Sequence, residues 1–340
     1  MRVNLEQEDN GYRAQEMKNG TWAEFEEAVG VTDNFSYMEN VNALYTNYSG
    51  GFSGFTYQLG VRAENTRIKS KLDQTGDSND QNYLNLFPSL FLSYALNETN
   101  SFQVSYSRRV SRPWSGWLLP FIEINDVRTR SVGNPDLRPE FGNSYELGYL
   151  RMWESGSLLT SVYYRYRTDV IERVNSIGSG GITTRRPINL ATEESWGIEF
   201  SADQDLFSNL QLSASLNLFQ SERDGFFEGL RYSSESESFT SRIRLRWKLL
   251  DGWNLQSNLY YRGSQQTTQG RDGGSAFLGA GISREVLGGR GLISLNGRDL
   301  FNSRQSDREI IDPDSYTNSR YSWSTRSFRL NFRYNFSGGG

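Results

Sequence analysis

The chain has 340 residues, with 36 Lys and Arg against 40 Asp and Glu, a formal net charge of −4, and neither cysteine nor histidine. Without thiol or imidazole it lacks the parts of Ser-His-Asp and Cys-His nucleophiles, His-dependent proton shuttles, zinc fingers and thiolate metal clusters, and its slight negative charge argues against nucleic-acid binding through a broad basic surface. No apolar run approaches the roughly 18 residues of a membrane-crossing helix, which leaves open a β-barrel, whose apolar side chains occupy only alternate positions.

Met1 is followed by Arg-Val-Asn-Leu-Glu-Gln-Glu-Asp, with no basic segment leading into an apolar core, so no signal peptide is visible. Residues 1–33 are the least patterned part of the chain, and 22–31 suits either a short helix or an outer loop. From Phe55 the apolar positions are Phe55, Tyr57, Leu59, Val61 and Ala63, interleaved with Thr56, Gln58, Gly60, Arg62 and Glu64, which is strand alternation. Leu210, Leu212, Ala214, Leu216 and Leu218 repeat it, as do Trp253, Leu255 and Leu259.

Between these runs, residues 239–249 place Phe239, Ile243, Leu245, Trp247 and Leu249 on one face and Thr240, Arg242, Arg244, Arg246 and Lys248 on the other. Arg262 follows on the next strand, and Arg329 and Arg333 lie on the last, where Phe328, Leu330, Phe332, Tyr334 and Phe336 face the opposite way. Such a basic ladder repels itself unless carboxylates or anions neutralise it, and Glu199 and Asp203 are candidate internal partners.

About thirteen segments of roughly ten residues are readable, a length that suits tilted membrane strands better than the shorter strands of soluble sheets. The connections alternate: short at 49–53, 97–100, 154–156, 204–208, 250–252 and 287–291, long at 69–81, 112–141, 175–191, 222–238, 264–274 and 302–320. Outer-membrane barrels keep periplasmic turns tight and let outer loops grow. That parity brings the final strand down to the periplasm. A soluble sandwich or meander has no reason to keep it, and a propeller requires a repeat of about 40 to 50 residues that is not present.

The stretch 105–146 reads SYSRRVSRPWSGWLLPFIEINDVRTRSVGNPDLRPEFGNSYE. Its S-R-R-x-x-R-P strand end (Ser107, Arg108, Arg109, Arg112, Pro113), its G-N-P-x-L-x-P-E loop (Gly133, Asn134, Pro135, Leu137, Pro139, Glu140) and the following Tyr145-Glu146-Leu147-Gly148 resemble the C-terminal barrel region of TonB-dependent outer-membrane receptors, in particular the Bacteroidetes-type outer membrane β-barrel family. Further matches are N-F-S-Y-M-E-N at 34–40, Gly60-Val61-Arg62-Ala63-Glu64, and Arg298-Asp299-Leu300-Phe301-Asn302.

The expected fold is therefore all-β, an antiparallel up-and-down transmembrane β-barrel spanning 34–336, with an uncertain leading segment or outer loop at 1–33 and a flexible tail at 337–340. The resemblance implies a barrel of about 22 strands with an N-terminal plug and a TonB-binding segment. This chain has room for about thirteen or fourteen strands and neither of those parts, so it is expected to be part of a larger barrel, or a gene reading that starts at an internal methionine. The function implied is the wall and outer loops of a receptor in the bacterial cell outer membrane that imports a large or scarce solute such as a siderophore or glycan. A non-transporting structural or adhesion barrel is the alternative.

Partners implied are outer-membrane lipid, a plug and through it TonB, and the barrel-assembly machinery, which would read the terminal aromatic strand. The G-N-P loop is read as a rigid hairpin in preference to a ligand site, because Asn134-Pro135 and Arg138-Pro139 favour turns and extended backbone. The basic wall is read as a plug contact in preference to a track for anionic solutes. No catalytic pair is expected: Glu123 and Asp126 have no second acid at a useful spacing. No cofactor or metal is expected either, since the acidic run 73–80 lacks the spacing of a calcium loop.

Overall fold

The computed structural model describes residues 2–11, 17–18, 21–22, 34–72, 76, 78–119, 122–124, 129–178, 181–312 and 315–336. Fourteen strands run antiparallel in sequence order through one sheet. They are β1 (Arg2–Gly11), β2 (Asn34–Phe52), β3 (Phe55–Leu72), β4 (Ser78–Asn97), β5 (Asn100–Ser111), β6 (Glu140–Trp153), β7 (Gly156–Ile177), β8 (Thr183–Phe207), β9 (Leu210–Phe227), β10 (Leu230–Lys248), β11 (Trp253–Arg262), β12 (Ser275–Val286), β13 (Gly291–Arg298) and β14 (Ser327–Tyr334). This is the up-and-down architecture that the alternation predicts. Among the described residues β1 and β14 are not paired with each other, so the meander is open rather than closed into a barrel. The leading segment supplies β1, in register with residues 34–43 of β2. Residues 23–31 and the tail 337–340 lie outside the described residues, as do Asp126 and most of the 73–77 connection.

Register gives the sheet two distinct faces. Leu44, Ala63 and Leu86 stand abreast on β2, β3 and β4, as do Tyr48, Leu59 and Leu90. Leu44 is 74% exposed and Leu330 on β14 is 72% exposed. Holding a leucine in water costs about 1.5–3 kcal/mol against burying it, so a whole face of them is stable only against lipid. Aromatic rings mark the margins of this belt, with Phe55 stacked on Tyr94 at 4.2 Å near the short turns and Phe239 on Tyr261 at 5.0 Å near the other end.

The ten-residue segments predicted by alternation correspond to the belt alone. Strands continue beyond it, β3 to 18 residues and β8 to 25. Three connections predicted as long outer loops, 69–81, 175–191 and 222–238, are largely hairpin extensions; β9 and β10 meet at Glu228 and Gly229, both at positive φ, in a two-residue turn. Above the hydrocarbon an outward side chain meets water, so the ladder persists while the apolar alternation lapses. Glu194, Glu222 and Glu235 stand side by side there on the outward face of β8, β9 and β10, where hydrocarbon would not tolerate them.

The buried core lies on the inner face, above the belt. Phe35, Tyr37 and Ile68 of β2 and β3 pack with Leu118 and Leu137 of the 112–139 loop, which folds inward rather than projecting. A second cluster joins Val170, Val174, Ile188, Leu190 and Ala191 at the tip of the β7–β8 hairpin to Phe227 and Tyr232. The ladder between β7 and β8 shifts register between Arg167 and Val170, where Asp169 has a φ of 55°. Beyond Ala191, which is opposite Gly225, β8 leaves β9, and its Thr183, Thr184 and Arg185 pair in parallel with Thr129, Arg130 and Ser131 of the inward loop. The bulge thus releases the hairpin to fold across the inner face. Gly225 permits the close approach: a Cβ there would overlap the Leu190 carbonyl.

Candidate functional site

Residues from three separate sequence motifs meet at one point on the inner wall. Arg112, at the strand end of the R-P motif, donates from Nη2 to Glu64 Oε2 at 2.6 Å and to Thr66 Oγ1 at 3.0 Å, and its Nε lies 2.9 Å from Glu39 Oε1. Arg62 donates to the same Glu64. Glu39 belongs to N-F-S-Y-M-E-N, and Arg62 with Glu64 to G-x-R-x-E. Glu64 is buried, so its charge depends on these guanidinium groups. Pro113 continues the chain from this anchor into the loop and, without an N–H, cannot prolong the ladder.

The G-N-P loop is packed from within. Asn134 is buried; its side chain donates to the Pro187 carbonyl at 3.1 Å and accepts from the Asp136 amide at 3.1 Å, and its backbone N–H donates to the Trp117 carbonyl at 2.7 Å. Gly133 abuts the Leu119 carbonyl so closely that any Cβ would collide with it. Pro135 offers its carbonyl to Asn79 at 2.8 Å, Leu137 is 1% exposed, and Pro139 is buried.

Glu140 closes the motif and begins a second charged network that the sequence reading missed. Its Oε1 accepts the Ile171 amide at 2.7 Å and its other oxygen pairs with Arg167. Arg167 reaches Glu193 at 3.0 Å, Arg223 reaches Glu193 at 2.6 Å, and Arg223 also holds Glu172 at 2.7 Å. Burial pushes the Glu193 carboxyl up, but the Arg223 and Arg167 charges outweigh it and leave the group below the usual carboxylate range. Burial pushes Glu172 up, and the neighbouring Glu193 and Glu140 add to it against the pull of Arg223, so that group titrates above the usual range. The available signal was the inward parity of Arg167, Glu193 and Arg223, but nothing in their spacing shows that they converge.

This network forms one wall of a polar cavity of about 280 Å³ over the inner face. Trp117 of the inward loop forms another side. The third comes from a small four-stranded sheet built by Gln265–Thr267, Gly270–Asp272, Gln305–Asp312 and Ser315–Ser322 from the last two outer loops. Arg308 holds Asp272 through two bonds of 2.6 and 3.1 Å, and Gln269 exchanges hydrogen bonds with the Asn175 backbone at 3.0 and 3.2 Å. In the R-D-L-F-N motif, Asp299 is fully buried at φ 49° and accepts from Ser303 N–H and the Thr325 hydroxyl, tying together both ends of the final loop.

Lower on the same inner face stands the basic wall. Arg242, Arg244 and Arg246 lie opposite Ser215, Ser213 and Gln211 on β9 and opposite Tyr260, Asn258 and Gln256 on β11, and Lys248 lies opposite Asn254. Arg262 faces Thr240, and Arg329 and Arg333 lie opposite Asn296 and Leu292. Arg242 lies over the Tyr260 ring at 5.5 Å. Glu199 and Asp203 are not its ion-pair partners: Asp203 accepts from the Ser213 hydroxyl at 2.6 Å, and two serines and a glutamine, not carboxylates, face the three arginines across β9. A trough of about 610 Å³ runs beside Arg244 and Arg246 where Gly279 and Gly281 leave the wall thin.

On the outward face of β14, Phe328, Leu330 and Phe332 are exposed and lie opposite Gly297, Leu295 and Ile293 of β13. The strand ends at Tyr334, so Phe336, expected within it, lies beyond the ladder with its ring 4.8 Å edge-on to Tyr334. Among the described residues no group of histidine, cysteine or carboxylate side chains is arranged to hold a metal.

The sequence matches the family described as outer membrane protein beta-barrel family over residues 1–334. No curated protein matches it. Among solved structures, the chain is similar to the ferric yersiniabactin uptake receptor FyuA from Yersinia pestis, with 16% identity over 90% of this chain and 47% of that one and a TM-score of 0.60. It is similar to the ferric-catecholate import receptor Fiu from K12 E. coli, with 13% identity over 98% and 51% and a TM-score of 0.63. It also resembles the siderophore receptor PiuA from Acinetobacter baumannii, with 12% identity over 89% and 44% and a TM-score of 0.62. The chain thus spans about half the length of these receptors, and at such identities the likeness is one of fold.

Proposed function

Because this chain belongs to the outer membrane protein beta-barrel family, we propose that it supplies the wall and outer loops of a TonB-dependent receptor that imports a large or scarce solute across the bacterial outer membrane. The observation that carries this is the inner face itself. Arg242, Arg244, Arg246, Lys248, Arg262, Arg329 and Arg333 share it, and among the described residues none of them reaches a carboxylate at ion-pair distance. A row of cations at strand spacing is costly unless something polar and acidic fills the space before it. A plug domain is such a filling, and TonB would act on the wall through that plug. Phe328, Leu330, Phe332, Tyr334 and Phe336 would present the terminal strand to the barrel-assembly machinery.

Two features favour transport over adhesion and over catalysis. The 112–139 loop and the β7–β8 hairpin pack inward over the wall, as a gated mouth requires, instead of projecting toward a partner cell. The mouth carboxylates Glu64, Glu140, Glu172, Glu193 and Asp272 are each held by arginine, which leaves Glu309 with no second free acid beside it among the described residues of the cavity. The chain is read as non-enzymatic on that ground.

The test is charge reversal of the wall in the full-length receptor. Arg244→Glu with Arg246→Glu should release the plug, measured by its susceptibility to protease, and should abolish uptake. Plug retention and uptake at the original level would refute the assignment.

A further inference from the structure

The cavity at the mouth contains two arginines that its own acids do not satisfy. Of the arginines lining it, Arg167, Arg223 and Arg308 each hold carboxylates, whereas Arg173 and Arg185 form no ion pair among the described residues. They lie diagonally across the β7–β8 ladder, Arg173 opposite Pro187 and Arg185 opposite Asn175, and so project from one face of the hairpin tip. Arg185 Nε donates to Asn175 Oδ1 at 3.1 Å, which aims its guanidinium, and no carboxylate among the described residues pairs with it. The Arg173 guanidinium lies 5.6 Å over the Trp117 ring. Both arginines also line an adjoining cavity of about 160 Å³ between Trp114, Trp117 and Gly133.

We propose that Arg173 and Arg185, with Trp117 as the flat side, form an oxyanion-binding subsite that takes a carboxylate or phosphate group of a small solute entering from the outside. Two like charges on one face of a two-stranded hairpin are destabilising unless an anion bridges them, and guanidinium groups meet planar oxyanions through paired N–H donors. The neighbouring positive charges leave their trace: burial, with Arg185 and Arg308, pushes the Arg173 guanidinium below the ordinary arginine range. The acids on the cavity wall do not replace the ligand. Glu140 and Glu172 are held by Arg167 and Arg223, and Asp272 by Arg308. Glu309, which also lines the cavity, forms no ion pair among the described residues and selects against solutes carrying negative charge at both ends.

The site deepens the transport reading, since it names a chemical class for the solute, but anion binding is measurable without transport. Calorimetric titration of the protein, extracted in detergent from outer membranes that express it, with acetate and separately with inorganic phosphate is the direct test. Saturable binding is expected for at least one of them. Arg173→Gln and Arg185→Gln should each weaken it about tenfold or more, the loss of one charge-assisted bond, while Arg284→Gln, beside the short turn at Asp251, leaves it unchanged. Retained heat-modifiable migration in electrophoresis reports that each variant is folded. Absence of binding by both anions, full binding by the folded Arg173→Gln/Arg185→Gln variant, or loss of binding only in an Arg244→Gln/Arg246→Gln variant of the lower wall would each overturn the assignment. Failure of plug retention alone would count against the receptor reading and leave this site standing.

Discussion

Glu64, in the body of β3, receives the Arg112 guanidinium at 2.6 Å across a separation of 48 residues in sequence. The pair anchors the 112–139 loop to the inner wall at the point where apolar alternation on the outward face gives way to Asn65, Arg67 and Lys69. Removing Arg112 leaves the buried Glu64 carboxylate with Arg62 as its one remaining cation and takes the cation from Glu39, whereas removing the carboxylate as well lifts the first of these penalties. Arg112→Ala should therefore destabilise the protein by about 1.5–3 kcal/mol, and adding Glu64→Gln should recover part of that loss. Urea unfolding of the detergent-solubilised protein measures it, and equal midpoints for Arg112→Ala and the original would contradict the anchoring role.

Gly225 carries the hairpin tip on its bare backbone, with the Leu190 carbonyl where a Cβ would be. Gly225→Val should lift residues 170–190 off the inner face at an overpacking cost of about 1–3 kcal/mol. Trypsin should then cleave after Arg185 faster than in the original protein, while the Arg186–Pro187 bond resists it. An unchanged cleavage pattern would mean that the tip is held elsewhere.

The charged network above the belt predicts a defined response to acid. The Glu193 carboxyl is held below its ordinary value by Arg223 and Arg167, so it contributes stability that is present above the unfolded value near 4.5 and lost as pH falls through the lower folded one. Glu172, raised by burial, has the opposite sign: its contribution is present at low pH and lost as pH rises through its raised value. Glu193→Gln should flatten the acid limb of unfolding midpoint against pH, and Glu172→Gln should flatten the limb at higher pH. Parallel profiles for all three proteins would rule out this coupling.

The two faces of one strand should respond differently to charge. Leu216 lies on the outward row of β9 and Ser215 on the inward row beside Arg242. Leu216→Arg, near the middle of the belt, should cost about 2–4 kcal/mol and lower the yield of protein folded into liposomes. Ser215→Glu should be tolerated, since it meets a cation on a wet face. Comparable yields for the two would be incompatible with lipid on the outward side.

What the sequence determined by itself was the local and the repetitive. Alternation from Phe55 to Ala63 or from Leu210 to Leu218 follows from the pleat, because each side chain meets either hydrocarbon or an enclosed polar space, and that choice is written residue by residue. The shared face of the basic wall and the family likeness carried by the R-P and G-N-P motifs are legible in the same local way. The true length of β8 was not, because above the hydrocarbon the outward face meets water and its pattern no longer reports the ladder. Only the tertiary structure decided that Glu39, Glu64 and Arg112 meet, that Glu193 joins Arg167 to Arg223, and that Arg173 and Arg185 face Trp117. These contacts depend on a register shift at Asp169 and on a missing side chain at Gly225, which redirect a whole hairpin through contacts between residues far apart in the chain.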